Sequence, residues 1–96
     1  MFIVSLTYKV DLAEVDKHLD AHIEYIKKYY ENGYFIASGR KKPRSGGVIL
    51  IKSVEREIVD AIVKEDPFYQ ADVANFEVIE FEPSMTAKGF EALLSL

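Results

Sequence analysis

With 96 residues, about half of them hydrophobic and under a third charged, the chain has room for one globular domain with a modest core, and a disordered reading is excluded. The absence of cysteine excludes a disulfide framework and thiolate metal or redox chemistry. A net charge of −4 argues against non-specific nucleic-acid binding, which draws on a positive surface.

The chain opens on strict alternation. Phe2, Val4, Leu6 and Tyr8 point one way and Ile3, Ser5 and Thr7 the other, which predicts a strand. The start Met1-Phe2-Ile3-Val4-Ser5 lacks a basic region and a cleavage site, so a cytoplasmic address is expected. Asp11 is placed to cap a helix, with Glu14 at capping-box spacing. Apolar residues at Val15, Leu19, Ile23, Ile26 and Tyr30 follow the helical period and predict one helix to about Asn32, ended by Asn32-Gly33. Tyr34 to Ser38 reads as a second strand, Gly39 to Gly47 as a basic hairpin loop, and Val48 to Ile51 as a third strand covered on both faces. At four residues that last run is as long as any apolar run in the chain, far too short to span a membrane. A second helix is predicted from Ser53 or Val54, with Val54, Ile58, Ala61 and Ile62 as its buried stripe and Asp66-Pro67 as its stop. Asn75 to Glu82 is the fourth strand, with Phe76 and Val78 on one face and Ile79 and Phe81 on the other. Beyond Pro83 a tail carries Phe90, Leu93 and Leu94 at helical spacing.

The order β-α-β-β-α-β is the split βαβ pattern. It predicts an α+β, ferredoxin-like domain with a four-stranded antiparallel sheet and two helices on one face, over residues 1 to 83. Residues 84 to 96 form a C-terminal extension expected to be helical. Apolar residues on both faces of the first and fourth strands predict that the uncovered face meets a second subunit, giving a homodimer or higher homo-oligomer. A C-terminal helix folded over that face is the other reading.

Chemistry-bearing residues are few. The spacing of His22 from Val15 and Ile26 puts it beside the apolar stripe, where it is either a packed histidine bonded to a backbone carbonyl or a functional imidazole. His18, four residues earlier, offers a weak two-histidine metal signal with no third ligand. No metal site is expected. In Asp66-Pro67-Phe68 the carboxylate either orients a histidine or caps a helical turn with proline at its first position. Arg40-Lys41-Lys42-Pro43-Arg44 gathers four of the twelve basic residues. It reads as a solvated hairpin tip, with Arg44 able to reach a substrate carboxylate or phosphate. No glycine-rich phosphate motif opens a helix, so nucleotide binding has no support.

Taken in order, these pieces resemble the YCII-related family of small dimeric α/β-barrel proteins. The resemblance is carried by Ala21-His22-Ile23-Glu24-Tyr25-Ile26, Asn32-Gly33-Tyr34-Phe35-Ile36-Ala37-Ser38-Gly39, Pro43-Arg44-Ser45-Gly46-Gly47-Val48-Ile49, Glu65-Asp66-Pro67-Phe68 and Phe76-Glu77-Val78-Ile79-Glu80-Phe81. It implies a ferredoxin-like fold, a dimer, and a cleft near the helix-borne histidine, with His22 and Asp66 as an acid–base pair. It also implies that Ser38, Gly39 and Arg44 line that cleft. Two positions depart from the family pattern: Arg40 stands where proline often follows Ser-Gly, and Asp72 where glycine often follows Asp-Pro-Phe.

The resulting expectation is a small-molecule enzyme of isomerase or lyase type. His22 and Asp66 would move a proton, and Arg40 or Arg44 would hold an acidic group of the substrate. That chemistry calls for no metal or organic cofactor, and no nucleophile is evident. The competing reading is a non-catalytic dimeric ligand-binding or assembly domain. The two differ in whether His22 and Asp66 meet within hydrogen-bond reach beside an open cavity. Nucleic-acid binding through the basic loop ranks below both.

Overall fold

Alternation along Phe2–Tyr8 (β1) sends Phe2, Val4 and Leu6 beneath the helices, where none is more than 2 % exposed. In the computed structural model, which describes Met1–Leu96, β1 is followed by short helix α1 (Leu12–Asp16), α2 (Leu19–Glu31), β2 (Phe35–Arg40) and β3 (Gly46–Ile51). Helix α3 (Arg56–Lys64), the single turn α4 (Pro67–Gln70), β4 (Ala74–Glu80) and a 3-10 turn at Glu91–Ser95 complete the chain. The four strands form one antiparallel sheet in the order β2-β3-β1-β4. This is the expected ferredoxin-like arrangement. No helix is long and apolar enough to cross a membrane.

Register fixes which side chains meet under the helices. Phe2 lies opposite Ile51, Val4 opposite Ile49 and Leu6 opposite Gly47, while on β4 Val78 and Phe76 stand opposite Val4 and Leu6. These inward residues join Tyr25 and Tyr29 of α2, Phe35 of β2, and Val59, Ile62 and Val63 of α3 in the main core. A smaller cluster of Val15, Phe68 and Val73 sits beside it. Ile3, Ser5, Val48, Leu50, Glu77 and Ile79 occupy the opposite face, as paired positions one residue out of phase.

Several local expectations need correction. The first helix is two, broken at Lys17-His18, and His18 takes the N-cap position of α2. Asp11 caps α1 by position, but its side chain makes no capping bond and Glu14 bonds Lys17 instead. The buried residues of α2 are Tyr25 and Tyr29, while Ile23 and Tyr30 are well exposed. On α3 the buried stripe is Val59, Ile62 and Val63, so Ile58 and Ala61 turn outward, and the helix begins at Arg56 after Glu55. Strands β2 and β3 run on to Arg40 and back from Gly46, which shortens the basic loop to residues 41–45.

Two turns depend on backbone freedom. A Cβ at Gly46 would lie 1.8 Å from the Leu6 carbonyl oxygen, so only glycine permits this approach of β3 to β1. Asp72, where the family pattern often has glycine, has φ +57° in the left-handed region, which aspartate tolerates better than most residues. Its carboxylate pairs with Lys9.

Candidate active site

The turn after α3 places the carboxylate. Asp66 is the N-cap of α4 with Pro67 at the first helical position, and its Oδ1 accepts a hydrogen bond from the Phe68 N–H at 2.9 Å. The same Oδ1 lies 2.8 Å from Nδ1 of His22 on α2. One oxygen of Asp66 therefore both caps its own turn and meets the histidine. The carboxylate is fully buried, and its second oxygen has no hydrogen-bond partner.

Oδ1 already receives the Phe68 N–H, and a carboxylate can only accept. Nδ1 of His22 must then be the donor, which leaves Nε2 as the free ring nitrogen. The imidazole stacks on the Phe68 ring with centroids 3.9 Å apart and planes 7° from parallel. Stacking and hydrogen bond together fix its orientation. The His22 side chain is 14 % exposed and lines a cavity of about 570 Å³ between α2 and the β2–β3 half of the sheet.

Leu19, Ile23, Ile26 and Tyr30, four of the positions on the apolar period, form the helical wall of that cavity. Opposite them stand Leu6, Gly46, Gly47 and Ile49. Ser38, Gly39, Arg40 and Arg44 all line the same cavity as His22, and Asp66 lies behind the histidine. Four further polar lining residues were not offered as site residues by the sequence: Tyr8, Asp16, Lys27 and Tyr30. Tyr30 and Ser38 share a hydrogen bond of 2.7 Å between their hydroxyls, so the pair keeps one O–H free to donate elsewhere. Arg44 Nη2 contacts Asp16 Oδ1 at 2.5 Å, and this hydrogen bond holds the guanidinium pKa above its ordinary value. Lys41 turns back to donate to Thr7 Oγ1, so the basic loop is not one free cationic tip.

His18 is half-buried at the start of α2, and no group of three or more potential metal ligands gathers anywhere in the fold. Elsewhere the ionisable residues serve packing. Tyr25, desolvated in the core, donates to the Ile62 carbonyl at 2.7 Å and has its pKa raised, chiefly by burial. Burial and the hydrogen bond to Glu65 push Tyr29 up to about 12, while the Tyr29 hydroxyl and Lys28 draw Glu65 below its ordinary value.

A ferredoxin-like sheet with an imidazole–carboxylate pair at the wall of a cavity defines an α+β domain with a candidate small-molecule site. More narrowly, the chain belongs to the YCII-related domain family, whose model matches residues 1–82. Comparison with curated proteins gives no match. Among solved structures the chain is similar to the 5-chloro-2-hydroxyhydroquinone dehydrochlorinase of Burkholderia phenoliruptrix AC1100, determined in complex with 2,5-dihydroxybenzoquinone. The TM-score is 0.74 at 16 % identity, covering 86 % of this chain and 94 % of that one. At that identity the likeness is one of fold.

Proposed function

We propose that this chain is a small-molecule enzyme that transfers a proton next to a carbonyl, in an isomerisation or an elimination. The observation that carries this reading is the 2.8 Å contact between His22 Nδ1 and the buried Asp66 carboxylate, with the imidazole facing an open cavity. Nε2 would take the proton as the C–H bond breaks, and the electron pair would move into the carbonyl to give an enolate. Asp66 would hold the tautomer and stabilise the imidazolium. A donor from Arg40 or from the Tyr30–Ser38 hydroxyl pair would meet the enolate oxygen. Return of the proton to another carbon completes an isomerisation, and departure of a leaving group completes an elimination. The structural neighbour is named a dehydrochlorinase, and loss of hydrogen and chlorine belongs to this second class.

The test is exchange of substrate hydrogen with solvent. A panel of small enolisable carbonyl compounds, incubated with the protein in deuterated water, should incorporate deuterium at the carbon beside the carbonyl. His22→Ala should slow this by about 10²–10⁴-fold. Exchange at an unchanged rate in that variant would remove His22 from the mechanism and leave a ligand-binding domain.

Self-association belongs to the same proposal. The uncovered sheet face presents Ile3, Val48, Leu50 and Ile79, with Ile79 43 % exposed. A second copy packed there would bury these residues, most simply across a two-fold axis. Sedimentation should show a dimer that Leu50→Glu with Ile79→Glu converts to monomer. A wild-type monomer would sink this part.

A further inference from the structure

Lys27, Arg40 and Arg44 are the cations lining the cavity, and Asp16 is its one carboxylate wall residue. Two of the three cations are already matched. Arg44 is held by Asp16 at 2.5 Å, and Lys27 lies 3.5 Å from Glu24 of its own helix. Arg40 enters no ion pair. The cavity therefore carries one uncompensated positive charge. Much of its remaining wall is apolar, built from Leu6, Leu19, Ile23 and Ile26. Its volume of about 570 Å³ suits one compact molecule.

We infer that the site selects a monoanion, one carboxylate or phenolate on a compact apolar body, anchored by Arg40, with Asp16 excluding a second negative charge by occupying Arg44. This rests on the cavity beside His22 being the substrate site. The reasoning is charge balance in a partly desolvated cleft. A monoanion meets Arg40 and buries its body against the aliphatic wall. A dianion brings its second charge up to Asp16, which can be relieved only by breaking the Asp16–Arg44 pair. Asp16 is thus a positioning residue that sets the charge count of the ligand, and Arg40 is the contact that reads it. Both side chains are exposed enough for substitution without loss of the fold.

Equilibrium binding tests this with three probes on one benzene ring: benzoate, its neutral isostere benzamide, and phthalate, which adds a second carboxylate. Each is titrated into the ¹⁵N-labelled full chain and followed by NMR at the Arg40 and His22 side chains. Benzoate should bind about tenfold more tightly than benzamide or phthalate, and Arg40→Gln should remove most of that advantage over benzamide. Asp16→Asn should tighten phthalate about tenfold while changing benzoate less, because it frees Arg44 for the second charge. Binding of none of the three, equal binding of benzoate and benzamide, or an unchanged phthalate-to-benzoate ratio in Asp16→Asn overturns the inference. Binding requires no turnover, so the two readings fail separately. Monoanion preference without His22-dependent exchange sinks the proton-transfer proposal alone. Exchange without that preference sinks this inference alone.

Discussion

The two ends of the sheet beneath α2 are built from the same strands and end differently. At one end Phe2, Ile51 and Phe35 face inward in register, and Tyr25 and Tyr29 close over Phe35. At the other end the same three strands offer Leu6, Gly47 and Arg40, with Ser38 one inward position back, and the space above them is the cavity. Large inward residues make a packed end, and small or polar ones at equivalent register positions leave an opening. The opening is thus written into the side-chain size along β2 and β3, with no change of backbone plan. A sheet that filled both ends would be more stable and would have nowhere to hold a ligand.

Several substitutions would break or sharpen this contrast. The largest effect is expected at the boundary, where Asp66→Asn keeps the acceptor for the Phe68 N–H but removes the negative charge beside His22. The rate of the exchange reaction should fall about 10²–10⁴-fold, and the thermal midpoint should stay within a few degrees, roughly, of wild type. A collapse of stability instead would make the carboxylate structural first. Next in size is a paired truncation. Ile51→Ala in the packed end should cost about 2–5 kcal/mol in urea unfolding, and Ile23→Ala on the cavity wall under about 1 kcal/mol. Equal costs would mean that the two ends do not differ in packing.

Gly47→Ala tests whether size alone closes the cavity. Its Cβ would meet Leu6 Cδ1 at 2.9 Å and the Gly39 carbonyl oxygen at 3.1 Å, for an expected cost of about 1–3 kcal/mol. Benzoate affinity should fall with it; unchanged affinity would dissociate cavity volume from binding. The smallest effect is a pH slope of the packed end. Tyr29 is raised to about 12, and Tyr25 is raised as well, so both favour their neutral forms in the fold. Their contribution is complete below the unfolded value of about 10 and is lost as pH climbs through the folded value. Unfolding midpoints should therefore drop between about pH 10 and about pH 12, and Tyr29→Phe should flatten that slope. An equal slope in the variant would place the sensitivity elsewhere.

How much of this was legible in the sequence differs by element. Period-two alternation read β1 correctly because its buried face is continuous. On α2 the apolar period picked out Leu19, Ile23, Ile26 and Tyr30, which line the cavity, with only Ile26 and Leu19 also packed against the core clusters. Periodicity reports that a helix face is apolar, not whether anything is packed against it. Tyr25 and Tyr29 were overlooked because they lie one position to the side of Ile26 and Tyr30, off the stripe traced through the aliphatic residues, and their hydroxyls bond Ile62 and Glu65. The break at Lys17-His18 carries no glycine or proline to announce it. Asp66-Pro67 revealed a cap by local chemistry. The meeting of His22 and Asp66 spans 44 positions, which no local spacing encodes, and the family resemblance alone pointed to it. The same holds for Asp16 and Arg44, 28 positions apart, and no resemblance suggested that pair.

One oxygen of Asp66 serves both the α4 turn and His22, and this shapes how the domain can diverge. A descendant that abandons the chemistry is free to lose the imidazole, yet still needs an acceptor for the Phe68 N–H. The aspartate would then persist for folding alone. An aspartate before proline at this turn thus reports on the fold, and only the histidine opposite it reports on the chemistry proposed for the cavity.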